Sequence, residues 1–242
     1  MKHLRIHREG RNMLVIIGMV IIALCITLII QPDSKVLTIV LIGVVALLLC
    51  FTAYFFRNPT REIIIDDTNF VIAPADGRVV AVEPVMENDY FHEQRMQVSI
   101  FMSPFNVHAN WYPIEGEVLM SEHQKGRHQG AWLPKSSTEN ERSAVIIKAH
   151  NNQTILLRQI AGAMARRIVT YAKKGDIAHI NQHLGFIKLG SRVDMYLPMD
   201  AEIYVVGGEP VVGNETIIAR LATPTPPDSQ ASILNTENST LN

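Results

Sequence analysis

The sequence predicts a mainly β protein of the α+β class, in which a β domain follows a hairpin of two membrane-spanning helices. Three observations lead there: two long uncharged apolar runs near the N-terminus, short β-branched segments separated by turn residues, and a polar C-terminal tail. The 242 residues carry a net charge of −1. This size suits one domain with additions, and the charge gives no indication of nucleic acid as a partner.

The helical hairpin is predicted from runs at residues 13–30 and 36–56, separated by the polar turn Gln-Pro-Asp-Ser-Lys at 31–35. At about 1.5 Å per residue the runs span roughly 27 and 31 Å, close to the hydrocarbon thickness of a bilayer. No small-residue cleavage site follows the first run, and this favours a hairpin over a signal peptide. Cys25 and Cys50 both fall inside the runs.

The flanking charges predict the orientation of the hairpin. Residues 1–12 form a basic flank, and Arg57 and Arg61 follow the second run, while the turn holds one Lys and one Asp. The positive-inside rule therefore places both ends, and the domain at 57–221, on the cytoplasmic side of the cell (inner) membrane. That domain contains no cysteine, which excludes a disulfide framework and a Cys-based metal site.

The domain itself is predicted to be β. Apolar, β-branched segments occur at 70–73, 78–82, 96–101, 143–148, 154–158, 194–197 and 203–206, with turn signals at 151–152, 207–208 and 213–214. Only 159–171 is predicted to be helical. Residues 222–242 are too polar to offset their ordering entropy and are predicted to be disordered.

Three turn-centred stretches suggest the kind of β fold. Residues 73–80, Ala-Pro-Ala-Asp-Gly-Arg-Val-Val, resemble the turn of the barrel-sandwich hybrid found in biotinyl and lipoyl domains, and 174–185 and 208–219 have a similar strand-turn-strand pattern. The resemblance implies a barrel-sandwich-like β domain. It also leaves open a non-enzymatic, membrane-tethered adaptor.

Few residues stand out as chemical groups by themselves. His108 follows an apolar strand and a proline, and its imidazole suits general acid–base work near neutral pH, although a lone histidine is more often a core residue. Asp76 in Pro-Ala-Asp-Gly is ordinary turn chemistry. His179 and His183 are four residues apart in a turn-rich unit that offers no third ligand, so no metal site is predicted.

Five ordered segments together resemble a known family. They are Ala-Pro-Ala-Asp-Gly-Arg-Val at 73–79, Phe-Met-Ser-Pro-Phe-Asn-Val-His at 101–108, Asn-Glu-Arg at 140–142, Gln-Ile-Ala-Gly-Ala-Met-Ala-Arg-Arg at 159–167 and Gly-Phe-Ile-Lys-Leu-Gly-Ser-Arg-Val-Asp at 185–194. The chain is similar to the pyruvoyl-dependent phosphatidylserine decarboxylases, in their short form with a two-helix anchor. The matching region covers roughly 57–221.

The resemblance implies a self-cleaving proenzyme. Ser191 attacks the carbonyl of Gly190, and the resulting ester eliminates to give chains 1–190 and 191–242, with a pyruvoyl group at position 191. That group forms a Schiff base with phosphatidylserine, which yields phosphatidylethanolamine and CO2. The implied partners are phosphatidylserine and the lipid bilayer, and a homo-oligomer is possible.

The resemblance also implies acid–base roles for Asp76 and His108. Longer members carry a second histidine three residues after the first, where this chain has Trp111. Either His108 serves both steps, or Asp76 acts on Ser191 with other help. Charge alone nominates Lys125, Arg142, Lys188 and Arg192 as phosphate ligands. The alternatives are a pyruvoyl decarboxylase of another amine-bearing carboxylate, the adaptor, and a membrane-anchored zinc peptidase.

Overall fold

The structure, a computed structural model, describes residues 4–30, 35–126, 140–162, 167–188 and 191–223. In chain order the elements are β1 (Leu4–Ile6), α1 (Arg8–Ile30), α2 (Lys35–Phe55), β2 (Arg57–Pro59), β3 (Phe70–Ile72), β4 (Gly77–Glu87), β5 (Glu93–Met102), β6 (Ala109–Trp111), β7 (Gly116–Gln124), β8 (Arg142–Ala149), β9 (Thr154–Ala161), β10 (Ile168–Thr170), β11 (Ile177–Ala178), β12 (His183–Ile187), β13 (Ser191–Leu197), β14 (Glu202–Ile203), β15 (Pro210–Val211) and β16 (Ile217–Arg220).

Helices α1 and α2 are both long and apolar enough to cross a membrane, and they pack against each other with most of their apolar side chains exposed. Helix α1 begins five residues before the predicted apolar run. The reason is His7, which caps the helix: its Nδ1 accepts from the Glu9 amide at 3.3 Å, and its carbonyl accepts from the Gly10 amide at 3.0 Å.

A short two-stranded ribbon joins the two ends of the hairpin. Strands β1 and β2 pair antiparallel, with Arg5 opposite Asn58, and the His7 amide donates to the Phe56 carbonyl at 2.8 Å. Gly10 lies so close to the Phe56 ring that a Cβ atom would overlap it. The sequence did not predict this ribbon, which ties the start of α1 to the end of α2.

The soluble part is built on an eight-stranded antiparallel sheet, in the order β11-β7-β8-β9-β13-β5-β4-β15. The sheet curls into a half-barrel, and two three-stranded sheets, β10-β12-β6 and β14-β16-β3, accompany it. The main core consists of aliphatic side chains from these sheets, among them Val98, Ile100, Ile147, Leu157 and Val193. This architecture confirms the predicted mainly β fold class.

Strand β13 lies inside the large sheet, paired with β5 on one side and β9 on the other. All seven of its residues are buried. Val193 and Met195 belong to the main core. Because successive side chains of a strand point to opposite faces, Arg192 and Asp194 lie on the other face, where Arg192 Nε donates to Asp194 Oδ1 at 2.5 Å.

The helix predicted at 159–171 is wrong within the described residues. Gln159 and Ala161 belong to β9, and 168–170 form β10. Gln159 pairs with Ser143 on β8 and with Val193 on β13, so long-range pairing overrides the helical preference of this alanine-rich segment. The turn predictions are confirmed: Asn152 between β8 and β9, Gly208 and Asn214 all have positive φ.

Candidate functional site

Ser191 opens the central strand and is fully buried. It stands opposite Met102 on β5 and Ala161 on β9, and its Oγ donates to Met102 Sδ at 3.3 Å. A thioether is a weak acceptor, so this contact orients the hydroxyl without binding its proton strongly. Gly190, the other residue of the predicted cleavage bond, lies outside the described residues.

A buried polar chain extends from the same Met102. Asn110 Nδ2 approaches Met102 Sδ at 3.7 Å, and Gln159 Nε2 donates to Asn110 Oδ1 at 2.7 Å. Gln159 Oε1 in turn accepts from the hydroxyls of Ser143 and Thr170 at 2.7 and 2.8 Å. Sequence analysis did not single out these residues; the available signal was a polar amide inside an apolar β segment.

His108 lies just before β6 and is fully buried. Its Nδ1 is 2.9 Å from the Asn106 carbonyl oxygen. A carbonyl can only accept, so Nδ1 carries the proton and Nε2 is left as the basic nitrogen. Among the described residues Nε2 has no hydrogen-bond partner.

Burial is the main reason that the pKa of His108 is lowered to about 4. The hydrogen bond to Asn106 and the charge of Asp76 oppose this effect, while the charge of Arg57 adds to it. The ring is therefore neutral at ordinary pH. The His108 carbonyl also accepts from the Ile187 amide at 3.2 Å, which ties the histidine to the end of β12, four residues before Ser191.

Asp76 lies in the turn before β4 and is buried. Arg61 binds both of its carboxylate oxygens, with NH2 to Oδ2 at 2.9 Å. Two backbone amides also donate to it, that of Gly213 to Oδ1 at 2.9 Å and that of Val107 to Oδ2 at 3.4 Å. The bond from the Val107 amide therefore places Asp76 next to the loop that carries His108, and the contacts of its carboxylate hold that loop in place.

Trp111, where the family resemblance led us to expect a histidine in longer members, is buried. The residue opposite it in the register of β6 and β12 is His183, with ring centroids 5.2 Å apart. The Arg61 guanidinium lies 5.2 Å from the Trp111 ring. His183 is the first residue of β12, whereas His108 is bonded to Ile187 at the other end of that strand. His183 therefore does not take the place of the expected second histidine.

The zinc peptidase alternative requires a cluster of metal ligands, and the described part of the chain contains none. No group of three or more His, Cys, Asp or Glu side chains converges there. His179 Nδ1 lies 2.9 Å from Glu115 Oε2, while His183 packs against Trp111 and His7.

An aromatic cluster brings the end of α2 and the segment before α1 against the candidate site. We call it the aromatic wall: Phe55, Phe56, Val107, Ala109, Trp111 and Phe186, with Ile6 packed against it. The ring of His7 stacks on Phe186 at 4.5 Å. Phe55 lies against His108, and the wall supplies much of the apolar surface that removes this ring from water.

The residues nominated by charge for phosphate binding do not share one place. Lys188 pairs with Glu9 at 3.5 Å, and Arg142 approaches Asp89 at 3.5 Å. Arg192 bonds to Asp194 on the sheet face opposite Ser191. Lys125 is exposed at the end of a described segment. Of the four, Arg192 is adjacent to Ser191 in sequence and Lys188 lies three residues before it.

Comparison with known proteins places the chain in a family. Residues 48–219 match the family model described as phosphatidylserine decarboxylase. The chain is 49% identical over 219 residues to a phosphatidylserine decarboxylase proenzyme of Parabacteroides distasonis. The aligned region covers 90% of this chain and 100% of the relative. The proenzyme of Phocaeicola vulgatus is 47% identical, over 91% and 97% of the two chains. That of Cytophaga hutchinsonii is 43% identical, over 88% and 97%.

Proposed function

The chain belongs to the phosphatidylserine decarboxylase family, and on that premise we propose that it makes its own pyruvoyl group from Ser191 and uses it to convert phosphatidylserine to phosphatidylethanolamine and CO2. One observation carries the proposal. The serine at the family's cleavage motif is a fully buried residue at the start of the central strand, oriented by a weak acceptor. The relatives are named proenzymes, which agrees with processing.

The first step is self-cleavage. Ser191 Oγ adds to the carbonyl carbon of Gly190 as its proton leaves, and the C–N bond breaks with a proton going to nitrogen, so that an ester replaces the amide. Loss of the Cα proton of residue 191 then expels the Gly190 carboxylate, which ends chain 1–190. The dehydroalanine left on the second chain tautomerises to an imine, takes up water and releases ammonia.

His108 is the proposed proton acceptor for this chemistry. Its Nε2 is buried and has no hydrogen-bond partner among the described residues, and the pKa near 4 keeps it unprotonated, and so open to a proton, at cytoplasmic pH. Asp76 is proposed to act through the loop. By fixing the Val107 amide beside Arg61, its carboxylate holds the backbone that presents His108. In this scheme His108 serves both steps, and Asp76 is a positioning residue.

The pyruvoyl group, when formed, supplies an electrophilic carbonyl that condenses with the substrate amine and accepts the electrons released with CO2. The residues around it would exclude water. Phe55 and Phe186 of the aromatic wall give the site an apolar side, and an apolar setting favours the loss of a carboxylate whose charge disperses in the transition state.

The two helices are proposed to hold this site at the cytoplasmic surface of the cell membrane. Both are long and apolar enough to span, and basic residues flank their joined ends. The acyl chains of phosphatidylserine remain in the bilayer, so an anchor that keeps the site in the same plane raises the encounter frequency.

The test of the proposal is the intact mass of the purified protein. We expect two chains, 1–190 and 191–242, with the second beginning in a carbonyl-bearing group that reacts with hydroxylamine. Ser191→Ala should remain one chain and be inactive. Ser99→Ala is the matched control, because Ser99 is a fully buried serine on the neighbouring strand β5. An uncleaved protein with full activity would falsify the pyruvoyl mechanism.

A substrate panel separates the remaining enzymatic alternative. Purified protein in mixed micelles is offered phosphatidylserine, glycerophosphoserine and free serine at equal concentration, and CO2 release is measured. We expect activity on the lipid to exceed activity on free serine at least a hundredfold. Comparable rates on all three would support a decarboxylase of small amine-bearing carboxylates.

A further inference from the structure

Phe105 is an exposed aromatic residue beside the candidate active site. It is 66% exposed and lies in the loop between Met102, which contacts Ser191, and His108. We propose that Phe105 inserts into the lipid bilayer and forms the membrane-facing rim of the active site. The inference rests on the proposed membrane insertion of α1 and α2, and the partner is the interfacial layer of the membrane.

The end of helix α2 holds this residue. Two side chains from the last turn of the helix and just beyond it bind the Phe105 carbonyl: Tyr54 OH donates to it at 3.3 Å and Arg57 NH2 at 2.7 Å. Arg57 also stacks over the Tyr54 ring at 3.9 Å. Tyrosine and arginine at the end of a membrane helix occupy the interface between hydrocarbon and water. A backbone carbonyl bound to both lies at the same depth.

The loop presents Phe105 as the tip of a rigid turn. The Asn106 amide donates to the Ser103 carbonyl at 3.0 Å, and the Ser103 amide and hydroxyl donate to Asn106 Oδ1 at 2.9 and 2.7 Å. These bonds close a β-turn with Pro104 and Phe105 at its two central positions, where proline suits the first. The aromatic side chain is therefore displayed at fixed geometry, without an ordering cost on insertion.

The same turn fixes the catalytic histidine. The Asn106 carbonyl accepts from His108 Nδ1 at 2.9 Å, so the turn that displays Phe105 also holds the His108 ring. Phe55, one residue from Tyr54, packs on the other side of that ring. Insertion of Phe105 thus sets the depth of His108 relative to the lipid head groups. The serine head group then reaches the site sideways from the bilayer surface.

The experiment measures depth directly. Cys25 and Cys50 are replaced by alanine, Phe105→Cys is labelled with an environment-sensitive fluorophore, and the full-length protein is reconstituted into phosphatidylcholine–phosphatidylserine vesicles. Lipids spin-labelled at shallow and deep acyl positions serve as quenchers. We expect a blue-shifted probe at Phe105, quenched more strongly by the shallow label.

Two further positions keep the outcome interpretable. Met199→Cys is the surface control: it is 45% exposed and follows the far end of β13, roughly 20 Å from Ser191 along the strand. Leu47→Cys, in the middle of α2 and 72% exposed, should be quenched most by the deep label. Deep quenching at Leu47 with a Phe105 probe that behaves like Met199 would overturn this inference alone. No quenching at Leu47 would remove the proposed membrane anchor and the Phe105 inference with it, while the decarboxylase proposal would still stand on its own test by intact mass.

Activity supplies an independent readout. Phe105→Asp should lower turnover of phosphatidylserine in vesicles about tenfold, while turnover of a short-chain, water-soluble phosphatidylserine changes less than twofold. Phe105→Leu should keep both rates near wild type, since an apolar side chain remains. Equal losses of Phe105→Asp on the two substrates would mean that the residue acts on the site and not on the membrane.

Discussion

The ring of Phe55, the last residue of α2, packs against the ring of His108 with 4.3 Å between centroids. A helix long and apolar enough to cross a membrane therefore ends inside the candidate site. The contact explains in part why His108 is fully buried and why its pKa is lowered to about 4.

We expect Phe55→Ala to alter the pH dependence of decarboxylation. Removing the ring admits water to His108, and its pKa should rise towards the ordinary value of 6.5, which moves the acidic limb of the rate profile upward by about 1–2 pH units. The measurement is turnover between pH 4 and 8. Phe51→Ala is the control, because Phe51 lies one turn earlier and is exposed. An unmoved acidic limb in Phe55→Ala would show that this ring does not set the titration.

Asp76→Asn and Arg61→Gln should produce the same defect. If the carboxylate acts by holding the loop, each change weakens one buried ion pair and slows self-cleavage and turnover together, by about tenfold or more. The two rates are scored separately, by gel and by CO2 release. Arg78→Gln is the control, since Arg78 instead binds the Gly208 carbonyl. If Asp76→Asn blocked cleavage while Arg61→Gln left it normal, Asp76 would have a direct role.

Gln159→Leu should destabilise the protein and slow self-cleavage. The change removes the donor to Asn110 Oδ1 and the acceptor for two hydroxyls, and buried unsatisfied groups cost about 1–3 kcal/mol each. Thr170→Val removes only one of these bonds and should have a smaller effect. Thermal unfolding in detergent measures the stability. Equal melting temperatures for wild type and Gln159→Leu would contradict a structural role for the buried hydrogen bonds of Gln159.

His7 should make the protein sensitive to acid. Burial, with the nearby His183 next in importance, lowers the pKa of His7 to about 4, so between pH 6.5 and 4 the unfolded chain binds a proton that the folded state does not. The stability contributed by the neutral ring is present above pH 6.5 and is lost as the pH falls towards 4.

The variant His7→Asn keeps a capping side chain but cannot titrate. Between pH 7 and 4.5 its melting temperature should fall less than that of wild type. The difference should be roughly 2–4 °C for each kcal/mol of unfolding free energy that the neutral His7 ring contributes. His150→Asn, at an exposed position, serves as the control. Parallel pH profiles for wild type and His7→Asn would exclude this residue as the source.

The sequence predicted those features that local pattern determines. The two apolar helices, most of the short strands and the turns at Asn152 and Asn214 follow from periodicity and turn chemistry, and the structure has them. The strand predicted at 203–206 is wrong beyond Ile203, where β14 ends. The neighbourhood of Asp76 and His108 could be expected only from the family resemblance. In the structure the two segments are joined by bonds such as those from the Val107 amide to Asp76 and from the Trp111 amide to the Pro74 carbonyl.

Other features depend on contacts between distant parts of the chain. Nothing near Gln159 in sequence indicates that it meets Asn110, and its alanine-rich surroundings favoured a helix that β-pairing overrides. The ribbon of β1 and β2 is similarly hidden, because each strand has three residues and neither shows a β pattern. The packing of Phe55 on His108 follows from that ribbon, which fixes how the hairpin meets the domain.

The position of β13 has a consequence for the stability of the mature protein that the proposed cleavage would produce. A chain starting at Ser191 would contribute a strand held by seven residue pairs to β5 and six to β9, so the two fragments should remain together without a peptide bond. Folding, however, would have occurred once, as a single polypeptide. Refolding after denaturation would be a bimolecular reaction between fragments, slow at low concentration. Heat unfolding should therefore be irreversible in the mature form but reversible in uncleaved Ser191→Ala.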